Sequence, residues 1–315
     1  MAGRPQVTPP ARALTAIDEP ALVRRAKRSD RRFAIIGLAV LMLSMIVLLA
    51  LVIDLAADGL GRINGRFFLD FPSRRPANAG ILSAWVGTAL VMLTTAVLAV
   101  PLGVAAGIYL EEYAPKNIVT DIIEINVTNL AGVPSIIYGL LALGLFVQTF
   151  GLGQTVLVAG MTLALLILPI IIVATREAMR SIPLEIREAC YGLGADKWQT
   201  VWGYLLPIAR PGILTGAIVG MSRAIGETAP VITIGALTFI AFLPPPPVQA
   251  EFPFINFSWL NSPFTVMPIQ MFNWISRPQA GFHVNAAATG VILLVMTLLM
   301  NGTAIWLRYR IRSRH

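Results

Sequence analysis

Cysteine is almost absent. Cys190 stands alone in 315 residues, so no disulfide can form within the chain and a cysteine-based metal site is excluded. The two histidines, His283 and His315, are too few and too far apart to suggest a ligand cluster. No metal and no cofactor are therefore expected. A phosphate-binding loop requires Gly-Lys-Ser/Thr, yet the lysines here follow Ala26, Pro115 and Asp196, which excludes an ATP site of the chain's own. Charge is scarce too. Asp, Glu, Lys and Arg make up 13% of the residues and apolar types 56%, whereas a soluble domain is about a quarter charged. An ordinary soluble domain is excluded.

Long apolar runs take its place, several near the roughly 20 residues that cross a bilayer. Candidate spans lie at about 33–53, 81–109, 129–150, 155–175, 211–243 and 285–307. The fold class expected is an all-α, polytopic, six-span membrane protein. Residues 1–30, rich in Pro, Ala, Arg and Thr without periodicity, read as a flexible tail, and 31–315 as the transmembrane domain. The first run follows a basic stretch and shows no small-residue cleavage pattern before Asp54, so it reads as an anchored helix rather than a removed leader.

The formal charge of +8 does not point to nucleic acid. The basic residues crowd beside apolar runs, from Arg24 to Arg32 and from Arg308 to Arg314. That is the positive-inside pattern, and it orients both termini inward. Arg62, Arg66, Arg74 and Arg75 in the first outer loop run against it. The N-terminal cluster also suits anionic membrane lipid.

Breakers interrupt the spans. Pro101, Pro134, Pro169 and Pro230 each remove a backbone donor, which membranes tolerate where neighbouring helices or a polar cavity satisfy the freed carbonyls. Gly212, Gly216, Gly220 and Ala224 place a small residue at every fourth position, a stripe along which another helix can approach closely. In the outer loop 244–284, Pro244 to Pro247 form a stiff stretch. The segment FTVMPIQMFNWI, 264–275, reads as a short amphipathic helix in the membrane interface.

Between spans four and five, about 176–210, the sequence REACYGLGADKWQTVWGYLLPIARPGI reads as helix, glycine turn, helix. Pro183 suits a first turn, Gly194 a left-handed cap and Asp196 the start of the next helix. Pro207 and Pro211 mark the end of that helix and the entry to span five. Trp198, Val201, Trp202 and Leu205 form an apolar surface that calls for a partner groove. Glu111 and Glu112, after span two, read as solvated acids.

The loop carries a recognisable pattern. Glu188-Ala189-Cys190, Gly194 and Leu206-Pro207 fall at the spacing of the EAA loop, and the stretch resembles that of ATP-binding-cassette importer permeases. Cys190 and Tyr204 depart from the pattern but remain apolar. Further stretches, GIYLEEYAP (107–115), NLAGVPSIIYGLLALG (129–144), SRAIGETAP (222–230) and MPIQMFNW (267–274), resemble the phosphate-specific importer permeases, and within them the PstA-type subunit. The resemblance implies a MetI-like permease fold in the plasma membrane of a prokaryote. It also implies a PstC-type second permease subunit, a PstB-type cytoplasmic ATPase dimer docked on Glu188, Ala189, Gly194, Leu206 and Pro207, and a PstS-type external phosphate-binding protein. The ATP-hydrolysing site would belong to the partner.

Two charges remain, Arg223 and Glu227, in an otherwise apolar setting. At 1.5 Å per residue from Pro211, Arg223 lies about 18 Å into the bilayer, where a charge costs about 2.5–3.5 kcal/mol even on the lenient insertion scale. At 100° per residue both flank the small-residue stripe and so face protein, and four residues apart they can touch. The functional reading puts Arg223 on phosphate in the pathway, with Glu227 as its alternate partner. The structural reading makes them an ion pair that fixes a helix. The same charges would serve a permease for molybdate or sulfate, or an ion-coupled secondary transporter.

Overall fold

Apolar runs with few internal breakers become long helices, and the breakers set their ends. The computed structural model describes residues 19–249, 254 and 256–312. Among these the chain is nearly all helical, with an isolated antiparallel bridge between Thr155 and Pro263. Five helices among the described residues are long and apolar enough to cross a membrane, or six if one bent pair counts as a span.

The residues fall into two units, up to Asp54 and from Leu55 onward. The first contains most of helix α1, Glu19–Gly59. Residues 1–18 of the expected tail lie outside the described residues. From Glu19 the chain is helical rather than irregular, with Pro20 in the first turn, where its missing donor is harmless. Phe33, Ile36, Leu41, Ile46 and Leu49 are all exposed, so this helix is apolar on every side, as a membrane span requires.

In the second unit, α2 (Gly65–Leu69) precedes α3 (Leu82–Ile108), which carries Pro101 inside it and continues as a π turn to Tyr113. Helices α4 (Ile118–Leu130) and α5 (Ser135–Ala142, extended as a π segment to Thr149) meet at a bend of 104°. Pro134 forces the bend by disfavouring a helical Val133. The Tyr138 hydroxyl then donates to the Leu130 carbonyl at 2.8 Å, satisfying one of the acceptors freed where α4 stops. The span expected at 129–150 is therefore a short helix entered at an angle.

α6 (Val156–Arg180) is the central helix, packed on α3 and on α9 (Leu206–Gly226). Between them lie α7 (Leu184–Gly192), α8 (Lys197–Thr200) and a π turn, Val201–Leu205. The expected stop at Pro207 does not occur. The π turn adjusts the hydrogen-bond register just before the prolines, and the helix runs unbroken from Lys197 to Gly226. The expected span 211–243 ends instead at Gly226, with only α10 (Ala229–Thr233) beyond it.

α11 (Met267–Ile275) and α12 (Ala280–Arg312) complete the fold. α11 packs one face into the protein. Met267 and Trp274 are buried in a cluster with Phe67, Ile81 and Phe282, and Gln270 is buried as well, while the side with Phe272 and Ile275 is exposed. The central core is formed by α3, α5, α6 and the α9–α10 region. A third cluster, Met179, Ile182, Val201, Leu205, Ala209 and Ile213, lies beneath α7 and α8.

Candidate functional site

The small-residue stripe positions the site. A Cβ added at Gly212 would lie 2.6 Å from the Ala178 Cβ, one at Gly216 would meet Ala174, and one at Gly220 would stand 3.4 Å from Ile167 and Ile171. The stripe therefore lies against α6, small residue on small residue at Gly212 and Gly216 and against isoleucines at Gly220, and Ala224 at its end is buried. One residue before the charged pair, the Ser222 hydroxyl donates to the Ile218 carbonyl at 2.7 Å and meets the Asn301 side-chain amide of α12. α9 is thus held on two sides.

Arg223 sits in the last turn of α9, and Glu227 is its C-cap, extended at φ −75° and ψ 122°. The helix stops here because Pro230 has no N–H for the Gly226 carbonyl. A cation in the last turn is favoured by the negative end of the helix dipole, and an anion there is not. Arg223 Nε bonds Glu227 Oε1 at 3.4 Å, so the sequence pair meets.

The two side chains differ in exposure, 38% for Arg223 and 19% for Glu227. Glu227 backs onto a void of about 10 Å³ lined by Thr88, Val91, Leu163, Val231 and Val266. At most one water fits such a space, so that side is closed. Arg223 points to the open side. Leu163 lies eight residues into α6, about 10 Å from its Val156 end, which puts the pair well inside the span. On the facing side α5 packs tightly on the break. A Cβ at Gly139 would fall 2.7 Å from Pro230 Cα and would also strike Thr233.

At the other end of α9, the loop caps form as the sequence reads. Gly194 takes φ +84°. Its N–H bonds the Tyr191 carbonyl at 2.9 Å, and Ala195 N–H bonds the Cys190 carbonyl at 3.1 Å, a full Schellman motif. Asp196 and Gln199 form a reciprocal capping box. Glu188 and Ala189 are exposed, while Leu206 and Pro207 are half-buried at the start of α9. The apolar surface is smaller than expected. Val201 and Leu205 are fully buried in the cluster beneath, because the π turn rotates them inward. Trp198 and Trp202 remain exposed, their rings 5.1 Å apart, and Leu184, Tyr191, Leu193 and Tyr204 on α7, the turn after it and the π turn are exposed as well.

Sequence reasoning missed one cluster. Glu111 and Glu112 are not solvated acids. Their side chains are 15% and 7% exposed. Glu111 meets Arg180 at 3.1 Å and Arg176 at 3.6 Å, Glu112 meets Arg187 at 2.8 Å, and Arg176 also meets Glu124 of α4 at 2.7 Å. The signal was the charge balance, with acids following span two and arginines ending span four.

Residues 99–313 match the model of the family described as "Binding-protein-dependent transport system inner membrane component". The chain is 34% identical over 227 residues to a phosphate transport system permease protein PstA of Mycobacterium leprae, covering 71% of this chain and 70% of that one. It is 32% identical over 268 residues to a probable ABC transporter permease protein, YqgI, of Bacillus subtilis, covering 83% and 88%. Among solved structures, an inward-facing MetNI methionine ABC transporter superposes with a TM-score of 0.55 at 17% identity, over 73% of this chain and 95% of that chain. That likeness gives the fold.

Proposed function

Because the chain belongs to the family of binding-protein-dependent transport system inner membrane components, we propose that it is the PstA-type permease subunit of an ATP-driven importer of inorganic phosphate. It is a multi-pass protein of a prokaryotic inner membrane. The observation that carries the reading is an arginine held at a helix break inside the span, exposed on the side its own chain leaves open. Similarity to the PstA relative supports phosphate as the cargo.

In this reading the chain forms half of a pathway completed by a second, PstC-type permease subunit, with both termini inside the cell. The exposed face around Trp198 and Trp202 docks on a PstB-type ATPase dimer, which supplies the ATP-hydrolysing site. A PstS-type binding protein delivers phosphate from outside. The planar guanidinium of Arg223 matches a tetrahedral oxyanion and sheds water more readily than an ammonium. Glu227 holds Arg223 when the path is empty. When phosphate arrives, the Glu227 carboxylate accepts a hydrogen bond from its protonated oxygen. Sulfate at neutral pH carries no proton to donate, which disfavours a sulfate permease, and the same holds for molybdate. An ion-coupled secondary transporter leaves the exposed loop face without a purpose.

The test is labelled-phosphate uptake by the assembled complex, with molybdate and sulfate as competitors. A charge-assisted hydrogen bond is worth about 1.5–3 kcal/mol, so Arg223→Gln is expected to lower uptake about 10- to 150-fold, and Arg223→Lys by less. Normal uptake by an assembled Arg223→Gln complex overturns the assignment.

A further inference from the structure

α7 presents a mechanical problem. If the exposed face of α7 and α8 receives the ATPase, then α7 must pass displacement to the spans, yet Cys190 is its only buried side chain. Packing alone ties it weakly to the rest of the chain. Arg187, directly before Glu188, supplies the missing connection. Its Nη2 and Nε meet the Glu112 carboxylate at 2.8 and 3.3 Å, and Glu112 lies at the end of the span Leu82–Tyr113. The same guanidinium donates from Nη1 to the Ile182 carbonyl at 2.7 Å and from Nη2 to the Met179 carbonyl at 2.8 Å.

One side chain of α7 therefore grips the last turn of α6, the corner after it and the end of span two. The pair is 14% and 7% exposed, so salt screens it far less than a surface pair. Its bonds also fix an angle, because the planar fork is satisfied on several sides at once. Next to it, Arg176 and Arg180 join Glu111 and, through Glu124, α4.

We propose that Arg187 and Glu112 are positioning residues of the transport cycle. They hold α7 in fixed register with spans two and four, so that movement of the docked ATPase shifts those spans as one body. This rests on the importer reading above.

The experiment reconstitutes the full complex in vesicles and measures phosphate uptake and ATP hydrolysis in the same sample, each normalised to intact complex. Glu112→Ala leaves Arg187 without its carboxylate. ATP hydrolysis is expected to persist while uptake per ATP falls at least tenfold. Glu112→Gln keeps the shape and one acceptor, and its ratio is expected to lie between. A purely structural role would lower the yield of complex and leave uptake per ATP unchanged, and that result overturns the proposal. Should Glu112→Ala fail to assemble, an unchanged ratio in Glu112→Gln overturns it equally. Absence of phosphate uptake by the unaltered complex instead overturns the importer reading, and this inference with it.

Discussion

Replacing Gly212 by alanine adds one methyl group where α9 meets α6. That methyl would lie 2.6 Å from the Ala178 Cβ, whereas carbon atoms rest about 3.5–4.0 Å apart, so the helices must part locally by roughly 1 Å. Overpacking of this size costs about 1–3 kcal/mol. Alanine also gains about 1 kcal/mol of helix propensity over glycine, so the single variant understates the clash. Ala178→Gly removes the atom that is struck and leaves the Ala178 Cα as the nearest neighbour at 3.5 Å, an ordinary contact. In the double variant the propensity gained at 212 offsets that lost at 178, and stability should return close to that of the unaltered protein. The informative quantity is thus the coupling energy of the double-mutant cycle, expected at about 1–3 kcal/mol. It would be read from equilibrium unfolding of the purified chain in mixed micelles. Additivity within about 0.5 kcal/mol would mean that α6 and α9 do not meet at these residues.

Gly194→Ala forces a side chain into the left-handed region at φ +84°, costing about 1–2 kcal/mol; the fraction of complex that retains ATPase on purification is expected to fall, less so for Gly194→Asn, and full retention with alanine would refute the cap's role in docking. Gly139→Ala drives a methyl against the Pro230 backbone at 2.7 Å, which cannot turn aside; a lower unfolding midpoint and lower uptake per complex are expected, and no change in either would show that α5 does not brace the break.

What the sequence makes legible here is what local chemistry decides. The caps at Gly194 and Asp196 follow from backbone conformation within four residues. The stripe on α9 follows from the helical period, since a small residue every fourth position admits a neighbouring helix whatever its partners there. Three features were hidden for different reasons. Pro230 announces a disturbance, but hydropathy continues unbroken past it, so nothing local distinguishes a kink from the full stop at Gly226. At an α-helical period Val201 and Leu205 fall on the face of Trp198 and Trp202, and the π turn, which the sequence does not announce, takes them off it. Glu111 and Glu112 find their arginines 69 and 75 residues away, a pairing that only the packing of span two against span four and α7 creates.

The stop at Gly226 changes the electrostatics of the proposed pathway. A continuous helix would present Arg223 as a bare positive charge. A helix that ends there adds roughly half a negative charge from its free carbonyls, and Glu227 adds a full one. Arg223 therefore offsets most of that negative charge without leaving a net positive one, and in the proposed pathway the site would hold phosphate only weakly. For a permease that is the useful condition, since dissociation slows as affinity rises and a tight site would stall each cycle. The pair also avoids a second cost. An arginine left alone in a low-dielectric setting is strongly unfavourable, and the carboxylate that yields the guanidinium to an arriving anion is positioned to take it back when the anion leaves. In the proposed pathway, exchange between Glu227 and phosphate would keep Arg223 partnered throughout transit. On the proposed reading, an arginine and a glutamate four residues apart at a broken helix would favour passage over storage.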